Sequence, residues 1–288
     1  MATTTPLSGH VTASDGTKLR YTQEGPPGAP DLVFLPGWAQ SATIFRKQVD
    51  YFKANFRVTT YDHRGHGESD KPAFGYHIAR LAADLETLLS QLDLHEVTLI
   101  GHSMGATVVW SHWELYAHDR IARMVVVDMV PVVTSNPGWS EEEKATFVTL
   151  VAPGGSHGIA NALTGLGGEA TVGGMIKNLF TPDVDQADMD WVLSENLKLP
   201  LEHAAALFID HAAADWRPMM STINVPTLLV LSRGEALDPF PSVQWMASQI
   251  PESKLVVFEK GEKGSSHFMF WESPERFNRE LGKFLASS

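Results

Sequence analysis

The sequence predicts an α/β protein, with a mostly parallel sheet, helices on both faces and a helical cap inserted late in the chain. Three observations carry this. Short apolar runs alternate with amphipathic stretches between residues 31 and 128, the alternation stops over 134–220, and it resumes from 225 to the end. Buried strands alternating with amphipathic helices call for a parallel sheet covered on both sides.

The elements follow in order. "SGHVTA" and "LRYTQE" flank Asp15-Gly16, a turn dipeptide, and predict an opening hairpin. "DLVFLP" (31–36) is a short apolar run stopped by Pro36-Gly37, hence a buried strand. From Ser41 to Asn55, Ile44, Phe45, Val49, Tyr51 and Phe52 recur at mostly helical spacing. "FRVTTYD" (56–62) is β-branched and aromatic, which favours a strand. Residues 77–93 carry the stripe Ile78, Leu81, Leu85, Leu88, Leu89 and Leu92, one face of a helix. "EVTLIG" is the next strand, 104–117 the next helix, and "IARMVVVD" (121–128) another buried strand.

Residues 134–220 show no clear strand. They hold Gly154-Gly155, Gly167-Gly168 and Gly173-Gly174, with helical pieces rich in Ala, Met, Leu and Trp. Strands return at "VPTLLVLS" (225–232) and "KLVVFE" (254–259), with helices at 243–250 and 274–286. An irregular helical block between two strands of one sheet reads as a cap. The expected organisation is therefore a core of residues 1–133 and 221–288 with a cap over 134–220.

Composition narrows the function. The chain has 288 residues, 43% of them hydrophobic and 19% charged, enough for a sizeable core. Its net charge of −12, with no basic cluster, argues against nucleic acid or an anionic membrane as partner. With no cysteine there is no disulfide, thiol catalysis or thiolate metal site. The N-terminal "MATTTPLSGH" lacks the charged and apolar regions of a signal peptide, and no apolar run reaches the ~18 residues of a membrane span. A cytoplasmic location is the expectation.

The chemistry is concentrated at "TLIGHSMGAT" (98–107), where a strand becomes a helix and Ser103 sits in Gly101-His102-Ser103-Met104-Gly105. G-x-S-x-G at such a junction is a nucleophile elbow, a tight turn that lifts the hydroxyl above the C-terminal edge of the sheet. The helix that follows aims its N-terminus at the site and favours negative charge there. A serine needs a base, and in this arrangement the histidine comes last in the chain. His267, in "KGSSHFMFWESPERF", lies between the last strand and the last helix.

The base needs a carboxylate on its other nitrogen. Asp128 ends the strand after the elbow helix and Asp238 follows the next strand, with Glu235 nearby; the residues alone leave all three open. Two backbone N–H groups are expected to form an oxyanion hole: that of Met104, after the nucleophile, and that of Trp38, in "LPGWAQ".

"YDHRGHGESD" (61–70) holds Asp62, His63 and His66; two histidines three apart on a Gly-rich loop are a weak metal signal without an obvious further ligand, so no metal is expected. His102 is expected to pack beneath the elbow. Phe180, Met189, Trp191, Phe208, Trp216, Met219 and Met220 divide between cap core and pocket wall in a way the sequence does not sort.

Together "LPGW", "YDHRGHGESD", "GHSMG", a variable cap and "GSSHFMFWESPERF" resemble the α/β-hydrolase superfamily. The resemblance covers the core from about residue 15 onward and implies the α/β-hydrolase fold. Within it, "FLPGWAQ", "FRVTTYDHRGHG" and "FGYHIARLAADLETLLSQLDL" look like the cofactor-free dioxygenases of 3-hydroxy-4-quinolones. Those enzymes, and the fungal lactonases that open resorcylic macrolactones, put the acid after the strand that follows the elbow helix. Both resemblances favour Asp128 and a ring-containing substrate. Met104 departs from the dioxygenase pattern and gives the ordinary hydrolase form.

The expected function is a serine hydrolase of small, apolar or ring-containing esters or lactones, needing no cofactor. Two alternatives stand beside it: a cofactor-free dioxygenase working through His267 and Asp128, and a non-catalytic ligand-binding module on the same fold.

Overall fold

The strands that carry the site are buried on both faces, so their sequences read as continuous apolar runs rather than as alternation. The computed structural model describes residues 6–234 and 238–287. Its eight strands are β1 (Leu7–Thr12), β2 (Lys18–Glu24), β3 (Asp31–Leu35), β4 (Arg57–Tyr61), β5 (Val97–His102), β6 (Ile121–Val127), β7 (Thr227–Ser232) and β8 (Ser253–Phe258). They form one sheet in the order β1-β2-β4-β3-β5-β6-β7-β8. β1 and β2 pair antiparallel, as do β2 and β4, and every later pairing is parallel. All residues of β3, β5 and β7 are buried.

α1 (Arg46–Phe52) packs against α11 (Pro274–Ala286), and α2 (Ile78–Gln91) against α3 (Met104–Leu115). The helix expected over 41–55 is shorter, a 3-10 turn Ala42–Phe45 running into α1. The Ala42 N–H is drawn aside to Asp62 Oδ1 at 2.7 Å. α9 (Phe240–Gln249) lies between β7 and β8 in the chain, and α10 (Met269–Glu272), a single turn, precedes α11.

The insertion contains α4 (Glu141–Thr146), α5 (Gly155–Thr164), α6 (Gly168–Asn178), α7 (Gln186–Asn196) and α8 (Leu201–Ala213). Its two ends are tied together at the root. Val132 and Asp215 form an antiparallel bridge, and Trp216 N–H donates to Pro131 O at 2.9 Å. α4 packs on α9, where Trp139, Phe147 and Trp245 form a small separate cluster. Residues of α5, α6 and α8 face Ser103, at the C-terminal end of β5, across a cavity. One cap side chain reaches back to finish a core helix, since Asp210 Oδ2 accepts the Ile78 N–H of α2 at 2.7 Å. Among the described residues no helix is long and apolar enough to cross a membrane.

Candidate active site

The site is built where β5 turns into α3. Ser103 has φ 53° and ψ −126°, a strained conformation for a residue with a Cβ. Two contacts hold it there. Its N–H donates to Val127 O at 2.9 Å, and its carbonyl accepts the Ala106 N–H at 2.9 Å. Close backbone approach explains the flanking glycines. A Cβ on Gly105 would stand 2.3 Å from Leu35 O, and one on Gly101 would stand 2.6 Å from Ala106 N. The elbow therefore presses against the end of β3, and the loop after β3 runs beside it: a Cβ on Gly37 would lie 3.1 Å from Ser103 Cβ.

That loop supplies Trp38. The Trp38 and Met104 N–H groups, expected as oxyanion donors, have no hydrogen-bond partner among the described residues. Met104 opens α3, so its amide is one of the helix's unpaired first-turn donors. The Trp38 side chain is fixed separately. Its indole N–H donates to Ala204 O of α8 at 2.9 Å, and its ring meets Phe208 edge-on at 5.5 Å.

Asp128 leaves β6 with φ 52°, which turns its carboxylate off the strand end toward the last loop. His267 Nδ1–H donates to Asp128 Oδ2 at 2.7 Å. The other oxygen, Oδ1, accepts the Ser232 N–H at the end of β7 at 2.8 Å. Asp238 lies elsewhere: it accepts from Arg233 Nη2 at 2.6 Å and from the Phe240 N–H at 3.1 Å, with a side chain 45% exposed. The Arg233 guanidinium holds its carboxyl below the usual range. Glu235 lies outside the described residues.

The His267 loop is anchored to the cap as well as the core. His267 N–H donates to Leu179 O at the end of α6 at 3.1 Å, and Phe180 stacks on Phe268 at 4.4 Å. Beneath it sits His102, fully buried. Its Nε2 is 2.9 Å from the His267 carbonyl and its Nδ1 is 3.0 Å from Gln40 Oε1. Burial, with His267 as neighbour, keeps the His102 imidazole neutral well below the ordinary histidine range.

Asp62, His63 and His66 serve the backbone of neighbouring loops. Asp62 accepts the Ala42 and Glu68 N–H groups, His66 Nε2 accepts the Ala39 N–H at 3.1 Å, and His63 Nε2 donates to Pro36 O at 3.2 Å. Burial lowers the pKa values of His63 to about 3 and His66 to about 4. These loops brace the Pro36–Gln40 segment from below.

Ser103 and His267 open on one cavity of about 240 Å³ between core and cap. Its walls are mainly apolar, with Val133, Leu150, Ile159, Met175, Ile176 and Phe208 prominent. Of the seven cap aromatics and methionines singled out from sequence, Phe208 faces this space. Trp191 instead stacks on Trp271 at 5.0 Å, and Met219 and Met220 are buried in the core.

A family model described as the alpha/beta hydrolase fold matches residues 30–274. The chain belongs to the α/β-hydrolase fold family. This α/β-hydrolase is 39% identical over 126 residues to a non-heme chloroperoxidase of Streptomyces lividans, covering 43% of the chain and 46% of that protein. It is 26% identical to 3-oxoadipate enol-lactonase 2 of Acinetobacter baylyi, covering 94% of each. Among solved structures, an esterase from Exiguobacterium antarcticum superposes with a TM-score of 0.87 at 23% identity, over 98% of this chain and all of the other. At that identity the structural likeness speaks to fold.

Sequence reasoning missed two polar groups in the cavity of this α/β-hydrolase, Gln40 and His211. Gln40 follows the Pro36-Gly37 turn closely enough to have been suspected. His211 lies in the cap on α8, and no motif marks it.

Proposed function

We propose that the protein is a serine hydrolase of small esters or lactones that works through an acyl-enzyme. The observation that carries this is His267, held 2.7 Å from Asp128 and lining the same cavity as Ser103 at the strained elbow. Asp128 fixes His267 with a proton on Nδ1, which leaves Nε2 to take a proton from the Ser103 hydroxyl. Ser103 Oγ adds to the ester carbonyl, and the negative charge forming on its oxygen is met by the Trp38 and Met104 N–H groups. His267 returns the proton to the leaving alkoxide as the C–O bond breaks. Water, deprotonated by His267, then attacks the acyl-enzyme and releases acid and free Ser103.

Cavity size and polarity support a substrate class. About 240 Å³ is below the ~300–1,000 Å³ of sites for drug-sized ligands. With apolar walls, it suits a single ring or a short acyl chain. The name of one relative matched over nearly its full length, an enol-lactonase, agrees with lactone cleavage.

The same histidine–aspartate pair is also the minimal equipment of a cofactor-free dioxygenase, and that is the competing reading. The test is turnover of p-nitrophenyl acetate and a simple lactone by the wild type and Ser103→Ala. Loss on the order of 10⁴- to 10⁶-fold in the variant is expected. Full esterase activity in Ser103→Ala would end the reading.

A further inference from the structure

His211 is a second histidine in the cavity, contributed by the cap, and the hydrolytic cycle above gives it no part. It lies on α8 and is 6% exposed. Its Nδ1 is 3.3 Å from Thr107 Oγ1, and the Thr107 hydroxyl is 2.8 Å from Met104 O. A carbonyl oxygen only accepts, so the Thr107 hydroxyl proton goes to Met104 O. Thr107 Oγ1 is then the acceptor toward His211, and His211 Nδ1 carries the proton.

The ring is neutral, because burial and the neighbouring His267 push its pKa down to about 4. A neutral imidazole protonated on Nδ1 holds a lone pair on Nε2. That atom, on the opposite edge of the ring, has no hydrogen-bond partner among the described residues. The other polar side chains on this cavity, Gln40, Ser103 and His267, all come from the core part of the chain. His211 thus places one acceptor in an otherwise apolar cap wall made by Ile159, Met175, Ile176 and Phe208.

We propose that His211 Nε2 is a specificity determinant that accepts a hydrogen bond from a hydroxyl carried by the substrate away from its scissile carbonyl. This rests on the ester or lactone reading of the same site and narrows it to hydroxylated substrates, phenolic or alcoholic. A substrate lacking the hydroxyl leaves a desolvated acceptor unpaired, which costs affinity for that substrate and not for the hydroxylated one. A carboxylate at that position is disfavoured, since it offers only acceptors to a lone pair.

The test compares methyl 3-phenylpropionate with its 2-, 3- and 4-hydroxyphenyl analogues on the wild type, His211→Leu and His211→Gln. Glutamine places an amide oxygen near the position of Nε2. For at least one isomer the wild-type kcat/KM should exceed that of the parent ester by about tenfold or more. His211→Leu should bring that ratio close to one, and His211→Gln should restore most of it. No preference for any isomer, or a preference unchanged in His211→Leu, overturns the proposal.

If the wild type turns over none of these esters and no p-nitrophenyl acetate, the hydrolase reading falls. The same comparison is then made on dissociation constants by calorimetry, with the same expected and contrary ratios. Should His211→Leu fail to fold, nitrogen NMR of the wild type decides. An unprotonated Nε2 whose resonance moves on adding the preferred phenol supports the proposal, and a protonated or unresponsive Nε2 refutes it.

Discussion

Asp128 ties the last loop to the end of β7: Oδ2 accepts the His267 Nδ1–H at 2.7 Å while Oδ1 accepts the Ser232 N–H at 2.8 Å. The second bond locks the carboxylate in one orientation, so the imidazole is held in one tautomer. Asp238, paired with Arg233 and half in solvent, has no comparable relation to His267.

Asp128→Asn should therefore lower ester turnover on the order of 10²- to 10⁴-fold with the fold intact. Asp238→Asn should cost less than tenfold. Steady-state kinetics on both variants, with circular dichroism for the fold, decides; swapped results would move the acid to Asp238.

Hydrolysis and cofactor-free oxygenation differ in their need for Ser103. Proton abstraction and O₂ addition need the His267–Asp128 pair but no acyl-enzyme. The wild type should cleave p-nitrophenyl acetate or a simple lactone without O₂ uptake, and 3-hydroxy-4-quinolones should release no carbon monoxide. An oxygen electrode and a gas assay check this. Stoichiometric O₂ consumption with carbon monoxide release, retained in Ser103→Ala and lost in His267→Ala, would favour the dioxygenase.

The elbow glycines make a stability prediction with an internal control. A methyl on Gly105 would strike Leu35 O at 2.3 Å, whereas one on Gly174, inside α6, meets nothing within 4 Å. Gly105→Ala should destabilise by more than about 2 kcal/mol. Gly174→Ala should stabilise by roughly 0.5–1 kcal/mol through helix propensity. Urea unfolding reads both, and equal effects would contradict the packing described.

Five buried histidines have depressed pKa values, His112 on α3 and four around the site, and those four contribute to the acid limb of stability. His63, His66, His102 and His211 all have folded pKa values below the unfolded value, chiefly through burial. Below about pH 6.5 the unfolded chain binds protons that the folded chain refuses, so stability falls as pH drops from about 6.5 toward 4. Calorimetric unfolding near pH 5.5 should take up about three to four protons from these side chains. Uptake of fewer than one would show that they are protonated in the fold.

Much of this was legible in advance because the relevant signals are local. The strand-to-helix junction at Gly101–Gly105, the strand before Asp128 and the loop around His267 each announce themselves within ten residues. The choice among Asp128, Asp238 and Glu235 was not local, since it depends on which strand end faces His267. The left-handed turn at Asp128 that settles its direction has no sequence mark, for aspartate is not the residue that such a backbone most favours. The cap was harder still. Trp191 and Phe208 share a composition and a helical setting, yet one stacks on Trp271 and the other walls the cavity, and His211 meets it through tertiary packing alone.

The central claim is that Ser103 is a nucleophile activated by His267. Incubation of the wild-type protein with a fluorophosphonate, followed by mass mapping of the labelled peptide, tests it most directly. One adduct per chain on Ser103, absent after His267→Ala, is the predicted result; no adduct, or an adduct on any other residue, would contradict it.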